Sequence, residues 1–175
     1  MKGTVAFTSL GCDKNRVDSE VMLGILSKSG LTVVAEESEA DLIVVNTCCF
    51  IKDALEESIE TILEMAEYKK TGRCKGLIVA GCLAQRYEKE MFLEMPEVDA
   101  ILGTTAYEEI AEIAGRILYG EKNIKQLTDI NAPMTEEKGK LRMLSTAGYY
   151  AYLKISEGCD NHCTYCIIPK LRGKY

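Results

Sequence analysis

The chain has the length and composition of a folded globular protein. It has 175 residues, of which 47% are hydrophobic and 27% are charged, and its formal net charge is −6. The negative charge argues against a strong non-specific grip on nucleic acid by this segment. No apolar run approaches the length of a membrane span and no signal-peptide core is present, so we expect a cytoplasmic protein without a membrane partner.

Short apolar runs alternate with helical patterns over the first 120 residues. The apolar runs are rich in β-branched residues and end in turn residues, which favours buried strands. The predicted strands are residues 5–9, 31–35, 42–46, 77–80 and 98–102. The predicted helices are residues 16–29, 53–68, 84–95 and 107–119. This alternation predicts an α/β fold, a mostly parallel sheet with helices on both faces.

One cysteine follows each of the three strongest predicted strands. These residues are Cys12, Cys48 and Cys82. The carboxyl ends of parallel strands lie at one edge of a sheet, so we expect the three side chains to converge there. Any one of them alone is most simply a small buried apolar residue. Their repeated position instead predicts a site with three thiolate ligands, and we interpret Cys49 and Cys74, which lack that position, as structural.

The remaining residues divide into a linker and a second cysteine region. Residues 121–147 are polar and have no sustained period, which is typical of a linker. Residues 149–155 alternate as a strand that leads to the later cysteines. We therefore predict an N-terminal domain over residues 1–120, a linker over 121–147 and, over 148–175, the truncated start of a further domain.

Three cysteines near the C-terminal end have the spacing C-x3-C-x2-C. They are Cys159, Cys163 and Cys166, and one short loop with this spacing can wrap a single iron-sulfur cluster. A 4Fe-4S cluster with three thiolate ligands keeps one iron open for a substrate or cofactor. A zinc knuckle is the alternative, but the only histidine, His162, adjoins Cys163 and is better explained as a loop residue.

The two cysteine sets and their flanking residues carry a family resemblance. The matching segments are residues 9–15, 18–20, 46–48, 81–87 and 163–169. Together they resemble the radical S-adenosylmethionine methylthiotransferases over essentially the whole chain. The resemblance implies two 4Fe-4S clusters, the first held by Cys12, Cys48 and Cys82 and the second by the later three cysteines. It also implies that the second cluster binds S-adenosylmethionine.

The resemblance further implies a radical reaction at an unactivated carbon. In this family reductive cleavage of S-adenosylmethionine gives a 5'-deoxyadenosyl radical, the N-terminal cluster supplies or carries sulfur, and a second S-adenosylmethionine donates a methyl group. A flavodoxin or ferredoxin type protein is the implied electron donor. Because the barrel walls of the radical domain would come from later strands, we expect the 175 residues alone to be inactive.

Two subfamilies differ in substrate. Residues 9–15, 48–54 and 167–173 resemble the enzymes that modify an aspartate β-carbon of small-subunit ribosomal protein twelve. Cys49 departs from the small neutral residue that is commoner there. The alternative is modification of C2 of an N6-modified adenosine in transfer RNA.

Two other classes remain as lesser alternatives. A non-catalytic iron-sulfur electron carrier would normally close each cluster with four cysteines. A dinucleotide-binding domain needs three glycines after its first strand, whereas residues 10–15 contain one. In the same region we interpret Lys14 and Arg86 as solvated and predict that Asn15 and Asn46 cap helices.

Overall fold

A single sheet flanked by helices forms the body of the protein. The computed structural model describes residues 2–132 and 141–175. The strands are β1 (Gly3–Ser9), β2 (Leu31–Val33), β3 (Leu42–Thr47), β4 (Gly76–Gly81), β5 (Ala100–Leu102) and β6 (Ile124–Gln126). The α-helices are α1 (Asp13–Lys28), α2 (Lys52–Thr71), α3 (Cys82–Arg86), α4 (Met91–Glu94), α5 (Ile110–Leu118) and α6 (Ile168–Arg172). Short 3-10 turns span Glu37–Glu39 and Tyr107–Glu109.

The six strands pair in parallel in the order β2-β1-β3-β4-β5-β6. From β1 the chain moves outward to β2 and then returns to β3 on the other side of β1. The order therefore reverses between β1 and β3, and such a reversal opens a crevice beyond the carboxyl ends of the two strands. The predicted α/β class with a parallel sheet is confirmed.

The strands bury both of their faces, as a parallel sheet requires. On one face, α1 and α5 pack their apolar stripes against alternate residues of β3 and β4 such as Val44 and Ile78. On the other face, α2, α3 and α4 cover the intervening residues such as Val45 and Leu77. Within residues 2–132 and 141–175, no helix is both long enough and apolar enough to cross a membrane.

Two predictions for residues 84–126 were wrong in detail. The helix predicted at 84–95 is interrupted, because Tyr87 leaves the helical conformation with φ −111° and ψ 32° before α4 begins. Strand β6 lies inside the segment predicted to be a linker, where it pairs with β5. It has three residues, of which only Ile124 is buried, so it carries no readable alternation. Residues 133–140 of that segment lie outside the described part of the chain.

The strand predicted at residues 149–155 was also wrong. No strand among the described residues pairs with this segment, and a strand requires a hydrogen-bonded neighbour. The alternation is real but has another cause. The Tyr152 ring lies against Arg16 of α1 and Lys154 pairs with Asp18 of the same helix, whereas Leu153 and Ile155 are exposed.

Asp41 joins three strands at the amino-terminal edge of the sheet. Its carboxylate accepts hydrogen bonds from the Thr4 backbone N–H at 2.9 Å and from Arg73 at 3.2 Å, and Lys75 lies 3.1 Å away. Burial alone would raise the pKa of this carboxyl. The hydrogen bonds from Thr4, Lys75 and Arg73 outweigh burial and lower the pKa from 3.8 to about 2.

We predict that Asp41→Asn lowers the free energy of unfolding at pH 7 by about 1–3 kcal/mol, because the partly buried Thr4 N–H and the cations Arg73 and Lys75 lose a buried, charged acceptor. The folded-state pKa lies below the unfolded value, so this contribution is complete above about pH 4 and is lost as the pH falls toward 2. Urea titrations at pH 7 and pH 2 measure it. The difference in free energy of unfolding between parent and variant should shrink at pH 2. Glu36→Gln, a change at an exposed side chain, is the control. A difference that does not depend on pH would contradict the assignment of the low pKa to Asp41.

Candidate metal centre

Three cysteines from distant parts of the sequence line one cavity at the carboxyl edge of the sheet. Cys12 follows β1, Cys48 follows β3 and Cys82 opens α3 directly after β4. The cavity has a volume of about 410 Å³. Cys12 is exposed, whereas Cys48 and Cys82 are buried, at 6% and 7% exposure. The predicted convergence of these residues at one sheet edge is confirmed.

Two glycines allow the cysteine loops to approach one another closely. Gly11 has φ +86°, and a Cβ atom there would lie 2.5 Å from the Cβ of Cys48. Gly81 has φ +90°, and a Cβ atom there would lie 2.4 Å from Oδ1 of Asn46. A side chain at either position would be strained and would push the strand ends apart. The glycine that precedes Cys12 and the glycine that precedes Cys82 therefore fix the width of the site.

Buried polar side chains tie the strand ends together. The Asn15 amide donates to the carbonyls of Leu10 and Thr47, at 3.0 and 2.8 Å. The Asn46 amide donates to the carbonyl of Asn15 at 2.9 Å. The prediction that these asparagines cap helices was wrong, since each satisfies loop or helix carbonyls instead. Ser58 of α2 accepts from the Cys48 N–H and donates to the Cys48 carbonyl, which fixes the second cysteine.

The remaining cavity wall is apolar and carries two cations. The apolar part includes Phe50, Ile51 and Leu171, and the cations are Lys14 and Arg172. Among the described residues, no three His, Cys, Asp or Glu side chains are close enough to share a single metal ion. The three thiols instead surround a volume. Soft sulfur donors around a cavity with nearby positive charge fit a negatively charged iron-sulfur cluster, which is larger than one ion.

Arg172 of α6 sits at the centre of a buried charge network. Its guanidinium donates to Glu157 at 3.0 Å, to Asp18 at 2.9 Å and to Oδ1 of Asn15 at 2.5 Å. Lys154 pairs with the same two carboxylates. Two cations and two anions are thus buried together, and this pairing offsets the desolvation that each would suffer alone.

The cation Lys14 is also bound to the C-terminal segment. Its ammonium group donates to the carbonyls of Ser156 and Glu157 at 3.0 and 2.7 Å. Burial and the neighbouring Arg172 lower the pKa of Lys14. The interpretation of Lys14 as a solvated residue was therefore wrong.

Burial controls the protonation of Cys82. It raises the pKa of this thiol from 9.0 to about 11, although the charge of Arg172 and its hydrogen bond to the thiol act in the opposite direction. The metal-free protein therefore holds Cys82 as a neutral thiol beside a guanidinium.

The second cysteine set lies on a loop that is closed by backbone hydrogen bonds. The Gly158 N–H donates to the Lys174 carbonyl and the Cys159 N–H to the Gly173 carbonyl, both at 3.1 Å. The Cys166 N–H donates to the Cys163 carbonyl at 3.1 Å, which forms a turn. Cys163 is exposed, and its two companions are half-buried. Helix α6 follows the loop directly and reaches the first cavity, so the two cysteine sets belong to neighbouring parts of the structure.

Cys49 and Cys74 have structural surroundings. Cys49 is fully buried in the core beneath α2, and burial raises its thiol pKa. Arg86 donates to the Cys49 carbonyl at 3.3 Å, so Arg86 is not merely solvated as predicted. The Cys74 thiol donates to the Gly76 carbonyl at 3.2 Å near the amino-terminal end of β4, at the edge of the sheet away from the cavity.

We predict that, in the metal-free protein at pH 8, iodoacetamide modifies Cys12 at least about 100-fold faster than Cys82. With a pKa of about 11, Cys82 is roughly 0.1% thiolate at this pH, and the thiolate is the nucleophile. Burial slows it further, whereas Cys12 is exposed. Peptide mass spectrometry over time measures both rates, and raising the pH to 10 should speed Cys82. Equal rates at pH 8 would contradict the burial of Cys82.

Comparison with known proteins agrees with the resemblance. Ribosomal protein uS12 methylthiotransferase RimO of Lachnoclostridium phytofermentans is 60% identical over 98% of this chain and 38% of that protein. The proteins of the same name from Clostridioides difficile and Trichlorobacter lovleyi are 54% and 52% identical, over 98% and 99% of this chain and 38% of each protein. The chain thus spans about 38% of the length of these relatives.

A family profile covers the cysteine-bearing sheet. Residues 4–103, more than half of the chain, match the family described as Uncharacterized protein family UPF0004. The matched residues include Cys12, Cys48 and Cys82. The predicted resemblance to methylthiotransferases of the ribosomal-protein type is confirmed, and the chain belongs to the UPF0004 family.

Proposed function

We propose that this chain is part of a radical S-adenosylmethionine methylthiotransferase that modifies an aspartate β-carbon of ribosomal protein uS12. One observation carries the proposal: Cys12, Cys48 and Cys82, far apart in sequence, line one cavity. Within the proposal these residues hold one 4Fe-4S cluster, and Cys159, Cys163 and Cys166 hold a second that binds S-adenosylmethionine. When bound, these groups supply the sulfur, the methyl group and the radical that activates the inert carbon.

The chain's own residues prepare the proposed N-terminal site in three ways. The glycine turns before Cys12 and Cys82 bring the thiols around a common space. The buried apolar side chain of Leu171 covers one wall of the cavity and reduces the access of water to the sulfur atoms. Lys14 and Arg172 offset the negative charge of several thiolates in a partly buried place.

The uS12 substrate is proposed from the relatives. The similar proteins are named as uS12 methylthiotransferases, and their similarity extends over 98–99% of this chain. We propose the same substrate here, an electron donor of flavodoxin or ferredoxin type and a cytoplasmic location. We also propose that residues 148–175 belong to a domain separate from the sheet domain, which extends past residue 120 to include β6. The net charge of −6 does not favour a strong non-specific grip on transfer RNA by this segment.

We predict that alanine at Cys12, Cys48 or Cys82 abolishes iron loading of the N-terminal site, because a cluster with two thiolates is released. All variants carry Cys159, Cys163 and Cys166 as serine, so that only this site is measured. Iron and sulfide are assayed after anaerobic reconstitution and desalting.

Cys49→Ala and Cys74→Ala are the matched controls for this experiment, and both should load as the parent does. Cys49 is the sharper control, since it adjoins Cys48 but is fully buried in the core. Equal iron loss in Cys49→Ala and Cys48→Ala would show that the assigned ligands are wrong.

The reaction itself is tested on the full-length gene product. We expect anaerobic incubation with S-adenosylmethionine, sulfide and a reductant to add one methylthio group to uS12, as measured by mass spectrometry of its peptides. The addition should disappear with Cys163→Ala. Modification of transfer RNA in place of uS12 would contradict the proposed substrate, and modification of neither would contradict the proposed reaction.

A further inference from the structure

The buried network around Arg172 joins the two cysteine regions of the chain. Asp18 and Asn15 belong to α1, directly after Cys12, whereas Glu157 comes two residues before Cys159. Arg172 itself lies on α6, six residues after Cys166. One guanidinium therefore bonds to both halves of the structure within 3.0 Å. Arg172 lines the cavity and is buried to 3% exposure.

Arg172 also lies against the first cysteine cavity. It lines the cavity together with Cys82, and α6 packs on α3, the helix that Cys82 opens. Asp18 and Glu157 are shared with Lys154, so the four groups sum to zero charge before any thiolate forms. Each additional negative charge in the cavity then faces Arg172, which is itself buried to 3% exposure, so its charge is only weakly screened by water.

We infer that Arg172 is a positioning residue that fixes the second cysteine loop against the first cysteine cavity and raises the reduction potential of a cluster held there. The inference rests on the proposed function for its second half only. A positive charge near a cluster favours the reduced, more negative state, and local charge and hydrogen bonds to sulfur set cluster potentials. The first half concerns the folded chain alone and needs no iron.

The positioning of the second cysteine loop by Arg172 is tested on the metal-free 175-residue chain by hydrogen exchange. Arg172→Met keeps similar volume but removes the charge and the planar fork of donors. We expect the amides of Gly158 and Cys159 to exchange at least about tenfold faster in this variant, because their acceptors lie on residues 173 and 174. Arg172→Lys should give an intermediate rate. The matched control is Arg116→Met, which removes an arginine paired with Glu121 on the surface.

Loss of Arg172 leaves two buried carboxylates with one cation, which can unfold the segment. The double variant Arg172→Met with Asp18→Asn restores the charge balance and keeps the test decisive. It should remain folded by circular dichroism but should still exchange faster than the parent. Exchange at the parent rate in a folded Arg172→Met or double variant would overturn the inference.

The effect of Arg172 on the reduction potential of the cluster is tested by redox titration of the reconstituted chain. Cys159, Cys163 and Cys166 are serine in every variant, so that only the first cluster is measured. We expect Arg172→Met to lower the equilibrium constant for one-electron reduction of the cluster by about tenfold. This corresponds to a reduction potential about 59 mV lower than that of the parent. Arg172→Lys and Arg116→Met should stay near the parent value. An unchanged potential in a loaded Arg172→Met protein would overturn the inference. A parent chain that loads no iron would contradict the proposed function instead, and the exchange rates would then decide the inference.

Discussion

The parallel direction of the strands is the constraint on which the site depends. Parallel pairing brings the carboxyl ends of β1, β3 and β4 to one edge, so residues 36 and 34 positions apart in sequence become neighbours. The strand order reverses between β1 and β3, and the crevice at this reversal receives Cys12 and Cys48. An antiparallel arrangement would send alternate strand ends to the opposite edge. The sheet topology therefore creates the cavity, and the glycines only adjust its width.

Charge and burial act together in the wall of this cavity. The apolar lining limits hydration, which makes Cys82 reluctant to ionise in the metal-free protein. The same lining increases the effect of the nearby cations Lys14 and Arg172 on any negative group that enters. We therefore expect Cys82 to be a neutral thiol in the metal-free site and a thiolate, balanced by the nearby cations, when the site holds a metal cluster. This is the behaviour of a metal ligand whose deprotonation is coupled to metal binding.

Strong local patterns made much of the structure predictable from sequence. The β-branched runs that end in Cys12, Cys48 and Cys82 identified both the strands and their common edge. Two kinds of feature were not predictable: elements too short to show a period, and contacts between residues far apart in the sequence. Strand β6 has one buried residue, too few to show a period. The segment 149–155 alternates because Lys154 pairs with Asp18, 136 positions away, and local periodicity cannot distinguish this cause from strand pairing.

The central residue of the buried network was missed for a related reason. Arg172 stood in a motif that indicated only the subfamily, and nothing near it in sequence shows that it is buried. Its partners Asp18 and Asn15 are more than 150 positions away. A hint was present in the three charged residues Lys154, Glu157 and Arg172 around one cysteine loop, but a solvated surface explains such residues equally well.

The most direct test of the account is the position of iron in the folded chain. Crystals of the anaerobically reconstituted protein should be measured at the iron absorption edge, where anomalous scattering marks iron alone. If Cys12, Cys48 and Cys82 hold a cluster, a peak should lie within the cavity that these three residues line. A peak beside Cys49 or Cys74, or iron confined to the C-terminal loop in a protein whose first three cysteines are intact, would contradict it.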